Sequence, residues 1–126
     1  MREILFRGKT QEHTRWIYGD LNHYMCDDGV FIAENGHSMH RVLKETVGQY
    51  TGLTDKNGNK VFEGDIVKLY LIDGIEKGVI KFNDIMCRFM FFTKDGNYGF
   101  DNDCIFEIIG NIHDNPELLK EGADNV

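Results

Sequence analysis

The stretch Val47-Gly48-Gln49-Tyr50-Thr51-Gly52-Leu53-Thr54-Asp55-Lys56-Asn57-Gly58-Asn59-Lys60-Val61-Phe62-Glu63-Gly64-Asp65-Ile66-Val67-Lys68-Leu69-Tyr70 decides the fold. Asp55 to Asn59 is a polar turn between two extended runs, and Asn-Gly is the strongest short hairpin signal because glycine adopts positive φ at no steric cost. Glu63-Gly64-Asp65 makes a second tight turn, after which Ile66 to Tyr70 reads as a strand.

The same grammar continues in both directions. Downstream, Gly74 breaks the pattern, and Gly78-Val79-Ile80-Lys81-Phe82 and Cys87-Arg88-Phe89-Met90-Phe91-Phe92 read as strands joined around Asn83-Asp84. Lys94-Asp95-Gly96-Asn97 turns the chain again, and Ile105 to Ile109 is the last clear strand. Upstream, Glu3 to Arg7 and Arg15 to Asp20 are extended, with Trp16 and Tyr18 on one face and Ile17 on the other. Asp27-Asp28-Gly29 has hairpin-turn chemistry and leads into Val30-Phe31-Ile32. Met39 to Tyr50 has weak periodicity and fits either two short strands or one helical turn. Asn115-Pro116-Glu117-Leu118-Leu119-Lys120 offers a cap, proline at the first helical position and an acid in the first turn, which predicts a short C-terminal helix stopped by Gly122. Short strands at about ten-residue spacing favour a small barrel or sandwich over a parallel sheet, whose crossovers need long helices.

Composition sets the class. A chain of 126 residues is the size of one domain and predicts one core, and 41% hydrophobic with 28% charged residues is a globular balance. No apolar run reaches membrane-spanning length, and Met1 to Arg7 lacks the apolar stretch of a signal peptide, so a soluble cytoplasmic protein with no membrane association is expected. Cys26, Cys87 and Cys104 form no closely spaced pair, which fits reduced thiols, and Cys87 and Cys104 read as core residues. Fourteen Lys and Arg against twenty-one Asp and Glu give a formal charge of −7, which disfavours non-specific binding to nucleic acid.

Five strings resemble one known family, the YopX family, small bacteriophage- and prophage-encoded proteins without an established biochemical function. They are Met1-Arg2-Glu3-Ile4-Leu5-Phe6-Arg7, Trp16-Ile17-Tyr18-Gly19-Asp20-Leu21, Thr46 to Gly58, Val61-Phe62-Glu63-Gly64-Asp65-Ile66-Val67, and Ile109-Gly110-Asn111-Ile112-His113-Asp114-Asn115-Pro116-Glu117-Leu118-Leu119. The resemblance implies one YopX-like domain over 1–126, mainly β. Residues 1–45 would be an N-terminal β part, 46–113 an SH3-like barrel part, and 114–126 a short helix and tail. It brings no catalytic residues.

Constellations that could carry chemistry have plainer readings. His23-x-x-Cys26 and His37-x-x-His40 offer four zinc-type ligands in two pairs, yet only one thiolate is present and Val30-Phe31-Ile32 between them reads as a strand. No metal and no cofactor is therefore expected. Asp55-x-Asn57-Gly58-Asn59 has its glycine at position four and Ile66 at position twelve, which fits a hairpin turn and not a calcium loop. Asp101-Asn102-Asp103 reads as an exposed acidic turn. The run Cys87 to Phe92 is apolar on both faces: Phe89 and Phe91 are assigned to the interior, and the face of Met90 and Phe92 is covered either by the N-terminal strands of the same chain or by a protein partner or another copy, for which those two residues are the candidates. The reading that follows is a non-catalytic interaction or assembly module, not an enzyme. Its rival is a nucleic-acid-binding barrel in which Arg15, Trp16 and Tyr18 supply charge and stacking.

Gly58 carries the deciding turn. Its replacement by Val is expected to destabilise the protein by about 1–2 kcal/mol, because a β-branched residue is penalised at positive φ, and thermal or urea unfolding measures the loss.

Overall fold

The computed structural model describes residues 3–12, 14–23, 29–100 and 104–120. Eleven strands follow in order: β1 Phe6–Lys9, β2 Trp16–His23, β3 Val30–Glu34, β4 Ser38–Val42, β5 Gly48–Thr54, β6 Lys60–Phe62, β7 Asp65–Leu71, β8 Gly74–Asn83, β9 Arg88–Thr93, β10 Gly96–Gly99 and β11 Ile105–Asn111. The chain divides into two compact units, Met1–Gly52 and Leu53–Val126, with the division inside β5. Each unit has its own cluster of buried side chains, where chain length alone predicts one core.

In the first unit the antiparallel order is β4-β3-β2-β1-β5. Register pairs Gly8 with Ile17, Leu21 with Ile32, and Val30 with Val42, so one face gathers the core of Ile17, Val30, Ile32 and Val42. The sheet curls: Thr10 bridges to Val42, and the Leu43 N–H donates to the Lys9 carbonyl at 2.8 Å. Gly8 permits this approach, since a Cβ there would lie 2.9 Å from the Val42 side chain. Thr46 fastens the same corner, its Oγ1 accepting the Lys9 N–H at 2.8 Å and donating to the Leu43 carbonyl at 2.6 Å. The ambiguous stretch from Met39 to Tyr50 thus resolves into β4, a single 3₁₀ turn at Lys44–Thr46, and β5.

In the second unit the order is β10-β9-β8-β7-β11, all antiparallel. Val61, Val67, Leu69, Ile80, Phe91 and Phe106 form its core, where Phe91 meets Phe106 edge-on at 5.1 Å and Phe100 at 4.3 Å. Among the described residues no ladder joins β10 to β11, so the structure is mainly β, in two antiparallel sheets, without the closure of a barrel. Gly58, at φ +84, stands in the turn between β5 and β6 as the sequence requires.

Two further expectations change. Pro116–Leu119 forms one 3₁₀ turn and no α-helix, because four residues cannot repay helix nucleation and Asn115 does not cap them. The turn is held instead by Lys77, whose Nζ donates to the Leu118 carbonyl at 3.0 Å. Cys87 is exposed at φ +55 in the β8–β9 turn, so of the two thiols read as core residues only Cys104 touches the core. Phe89 also leaves the interior. It sits one residue into β9, beyond the end of the core, with its ring edge-on to Phe82 at 5.3 Å. The hairpin turn assigned to Asp27-Asp28-Gly29 and the acidic turn at Asp101-Asn102-Asp103 fall wholly or partly outside the described residues. No helix among the described residues is long and apolar enough to cross a membrane.

Phe91 is fully buried and Phe89 is not. Phe91→Ala is therefore expected to cost about 3–5 kcal/mol in chemical denaturation and Phe89→Ala clearly less, since only the first empties a closed aromatic site.

Candidate functional site

The polar residues of the family-like strings are the natural first candidates for chemistry, and the fold uses them at its turns. Asp55 is 6% exposed. Its Oδ1 accepts the N–H groups of Asn57 at 3.0 Å and Asn59 at 2.9 Å, while Oδ2 accepts the N–H of Ile108, fifty-three residues on, at 3.0 Å. Burial pushes this carboxyl's pKa up, but the hydrogen bonds from Ile108, Asn59 and Asn57 outweigh it and hold the pKa below the usual 3.8. Such a group is a permanent acceptor for backbone donors and a poor proton carrier at neutral pH. The neighbouring Lys56 N–H donates to the Phe106 carbonyl at 3.0 Å, so the whole turn is sewn to β11.

The same device recurs twice. Asp65, also buried, accepts the Phe62 N–H at 2.8 Å and closes the Glu63-Gly64 turn. At the C-terminal string, Asn111 Oδ1 accepts the N–H groups of His113 at 3.0 Å and Asp114 at 2.9 Å, and Asn115 Oδ1 accepts the Asn111 N–H at 3.2 Å. Asn115, read from sequence as a helix cap, thus serves the preceding turn.

The histidines do not assemble with one another. His23 ends β2, His37 lies in the β3–β4 turn, and His40 is paired with Ile32 in β4, where its Nε2 lies 3.4 Å from Glu34 Oε1. Cys26, the fourth member of that quartet, lies outside the described residues. Among the described residues no three His, Cys, Asp or Glu side chains converge as a metal site would require.

What remains is surface, and two places stand out. The first is the β8–β9 turn. Ile85 is 92% exposed and Met86 55%, backed by Phe82 at 43%, yet the turn is well held: Asn83 Oδ1 accepts the N–H groups of Ile85 at 2.9 Å and Met86 at 3.0 Å. The Phe82–Phe89 pair continues the apolar row of Ile80 and Phe91 past the end of the core. Lys81 and Arg88 are exposed beside it. The contact pair read from sequence fares differently. Met90 is only 6% exposed, covered within its own chain, and Phe92 is half-buried with the Lys81 Nζ 5.7 Å from its ring.

The second place is the face of the first sheet opposite Ile17 and Ile32. Register sets Arg7 beside Tyr18 and Lys9 beside Trp16, with the Arg7 guanidinium 4.7 Å and the Lys9 ammonium 6.0 Å from the Trp16 ring. On β3 and β4 of the same face, Arg41 lies 5.6 Å from the Phe31 ring. Of the trio named from sequence, Trp16 and Tyr18 share this face, while Arg15 precedes β2 and is exposed. The cations that belong with the rings come from β1 and β4, which local reading cannot reveal because cross-strand neighbours are set by register.

Comparison with known proteins supports the fold. The family model described as "YopX protein" matches residues 5–120, nearly the whole chain. A solved structure titled "Crystal structure of protein EF1440 from Enterococcus faecalis" superposes with a TM-score of 0.58 at 23% identity, covering 95% of this chain and 100% of that one. At that identity the likeness is one of fold. No curated protein matches the chain.

Asp55→Asn tests the clamp, because the amide nitrogen it introduces must face an N–H donor whichever way it turns. A loss of about 1–3 kcal/mol is expected in urea unfolding. Since the folded pKa is depressed, the carboxylate's contribution is fully present above the unfolded value near 3.8 and is lost as pH falls through the lower folded value. Wild type and variant should thus differ at neutral pH and converge in stability in strong acid.

Proposed function

This chain belongs to the YopX family, and from that premise we propose that it is a non-catalytic protein of phage or prophage type that works by docking the β8–β9 hairpin tip into a protein partner. The observation that carries this reading is the coexistence of exposure and order at the tip. Ile85 and Met86 are apolar, mostly solvated and fixed by two hydrogen bonds to Asn83. Ordered apolar prongs of this kind lose little conformational freedom when they bind, so more of the gain from burial survives as affinity. Methionine adds adaptability, since its unbranched, polarizable side chain fills irregular pockets. Among the described residues Lys81 and Arg88 flank the tip against the carboxylate of Asp84, so the complementary surface is an apolar pocket with an acidic rim. The reading places the activity in contact and assembly, in a cytoplasmic setting, with a partner other than the chain itself.

Ile85→Asp is expected to leave stability within about 0.5 kcal/mol, as exposed positions do. It should weaken partner affinity at least tenfold, about 1.4 kcal/mol. A photo-crosslinking residue placed at Met86 in the producing cell supplies the partner's identity, with Lys94 at the β9–β10 turn as the comparison site. An adduct specific to position 86, mapped by mass spectrometry to an apolar pocket with acidic neighbours and abolished by Ile85→Asp, supports the reading. Identical adducts from both positions, or capture of a second copy together with a doubled solution mass, overturns it.

A further inference from the structure

We propose that the face of the first sheet carrying Lys9, Trp16, Tyr18, Phe31 and Arg41 binds single-stranded nucleic acid. This surface lies in a different unit from the hairpin tip and does not depend on that reading. Three aromatic rings stand on one face of two adjacent strands, Trp16 and Tyr18 on β2 and Phe31 on β3, and Tyr18 is 45% exposed. Two aromatic residues two apart along a strand point the same way, about 7 Å from one another, a spacing that successive unstacked bases can span. Cations accompany the rings: Lys9 lies over the Trp16 ring's edge of the sheet and Arg41, which is exposed, beside Phe31. Arg7 is buried, and its guanidinium, 4.7 Å from the Trp16 ring, positions that ring without itself reaching a ligand.

Charge complementarity favours a polyanion over a neutral partner here. Asp20 is the carboxylate on this face among the described residues, set against Lys9 and Arg41. The acidic character of the whole chain is concentrated elsewhere: residues 1–52 hold six Lys and Arg against seven Asp and Glu, whereas residues 53–126 hold eight against fourteen. Rings beside cations on a sheet face suit a single strand, because every base has a π-face and the backbone runs past the charges, whereas a duplex keeps its bases stacked away from the rings.

Fluorescence anisotropy of the full chain with labelled oligothymidylate of about twelve nucleotides at low salt tests this, with oligouridylate and a duplex of the same length in parallel. Saturable binding to either single strand, at least tenfold tighter than to the duplex and accompanied by quenching of Trp16 emission, supports the proposal. Tyr18→Ala should weaken binding between about fivefold and a hundredfold, while Tyr18→Phe retains it and both keep the wild-type circular dichroism. With half-buried Lys9 and exposed Arg41 both engaged, log affinity should fall with log salt at a slope of about −1.4, and Lys9→Gln should flatten that slope by about 0.7. Lys94→Gln, which removes a cation at another turn, should leave the slope unchanged. No saturable binding at low salt, equal affinity for duplex or for heparin, or an unaltered affinity in Tyr18→Ala overturns it. Because the hairpin tip is not probed by any of these variants, failure here leaves the docking reading standing, and the converse holds.

Discussion

The carboxylate of Asp55 is the constraint on which the second unit depends. Three backbone N–H groups converge on it, two from its own turn and one from Ile108 on β11. The two local bonds shape the hairpin that carries Gly58. The distant bond fixes where the last strand lies, beside β7, and with it the register that brings Phe106 onto Phe91. A buried carboxylate is costly unless its lone pairs are filled, and here the filling is done by donors that would otherwise be orphaned at a turn and at the β11 bulge between Ile108 and Gly110. Each side of the contact thus removes the other's penalty.

Asp65, Asn111 and Asn115 repeat this logic, and all of them lie in the strings by which the chain resembles its family. The most distinctive residues of the sequence therefore specify a fold. Side chains whose acceptors are engaged by backbone donors are poorly placed to act as an acid, a base or a ligand, which moves the search for function from the motifs to the surfaces between them. The β8–β9 tip lies where the motifs are thin, whereas the cation-bearing face of β1 to β4 takes Trp16 and Tyr18 from one of the strings and Lys9, Phe31 and Arg41 from outside them.

Much of the fold was legible in the sequence because turns and alternation are local. Gly58 at positive φ, the closing of Glu63-Gly64-Asp65, and the opposition of Ile17 to Trp16 and Tyr18 all follow from residue chemistry over a few positions. What escaped was everything set by distant partners. Nothing near Ile108 announces that its N–H belongs to Asp55, and nothing near Trp16 announces Lys9. The interior position of Phe91 and the marginal one of Phe89 share an identical alternation pattern and differ only in where the core ends. Met90 shows the same limit from the other side, since period two says that it opposes Phe91 but not what covers it. The short turn at Pro116–Leu119 had the residue types of a helix start, but Asn115 commits its side chain to the Asn111 N–H and the segment is too short.

The charge of the chain illustrates why a whole-molecule property misleads about a site. A net −7 argues against polyanion binding only if every charge is felt everywhere, and at physiological ionic strength the Debye length is about 8 Å. A ligand on a sheet face responds mainly to side chains within that reach. On β1 to β4 these include Lys9 and Arg41 against Asp20, while Asp55 and Asp65 of the second unit are withdrawn into turns where backbone donors already balance them. Acidic residues that build turns and basic residues that face outward enter the same sum with opposite consequences for recognition. The local count, not the total, therefore decides which partners a face admits.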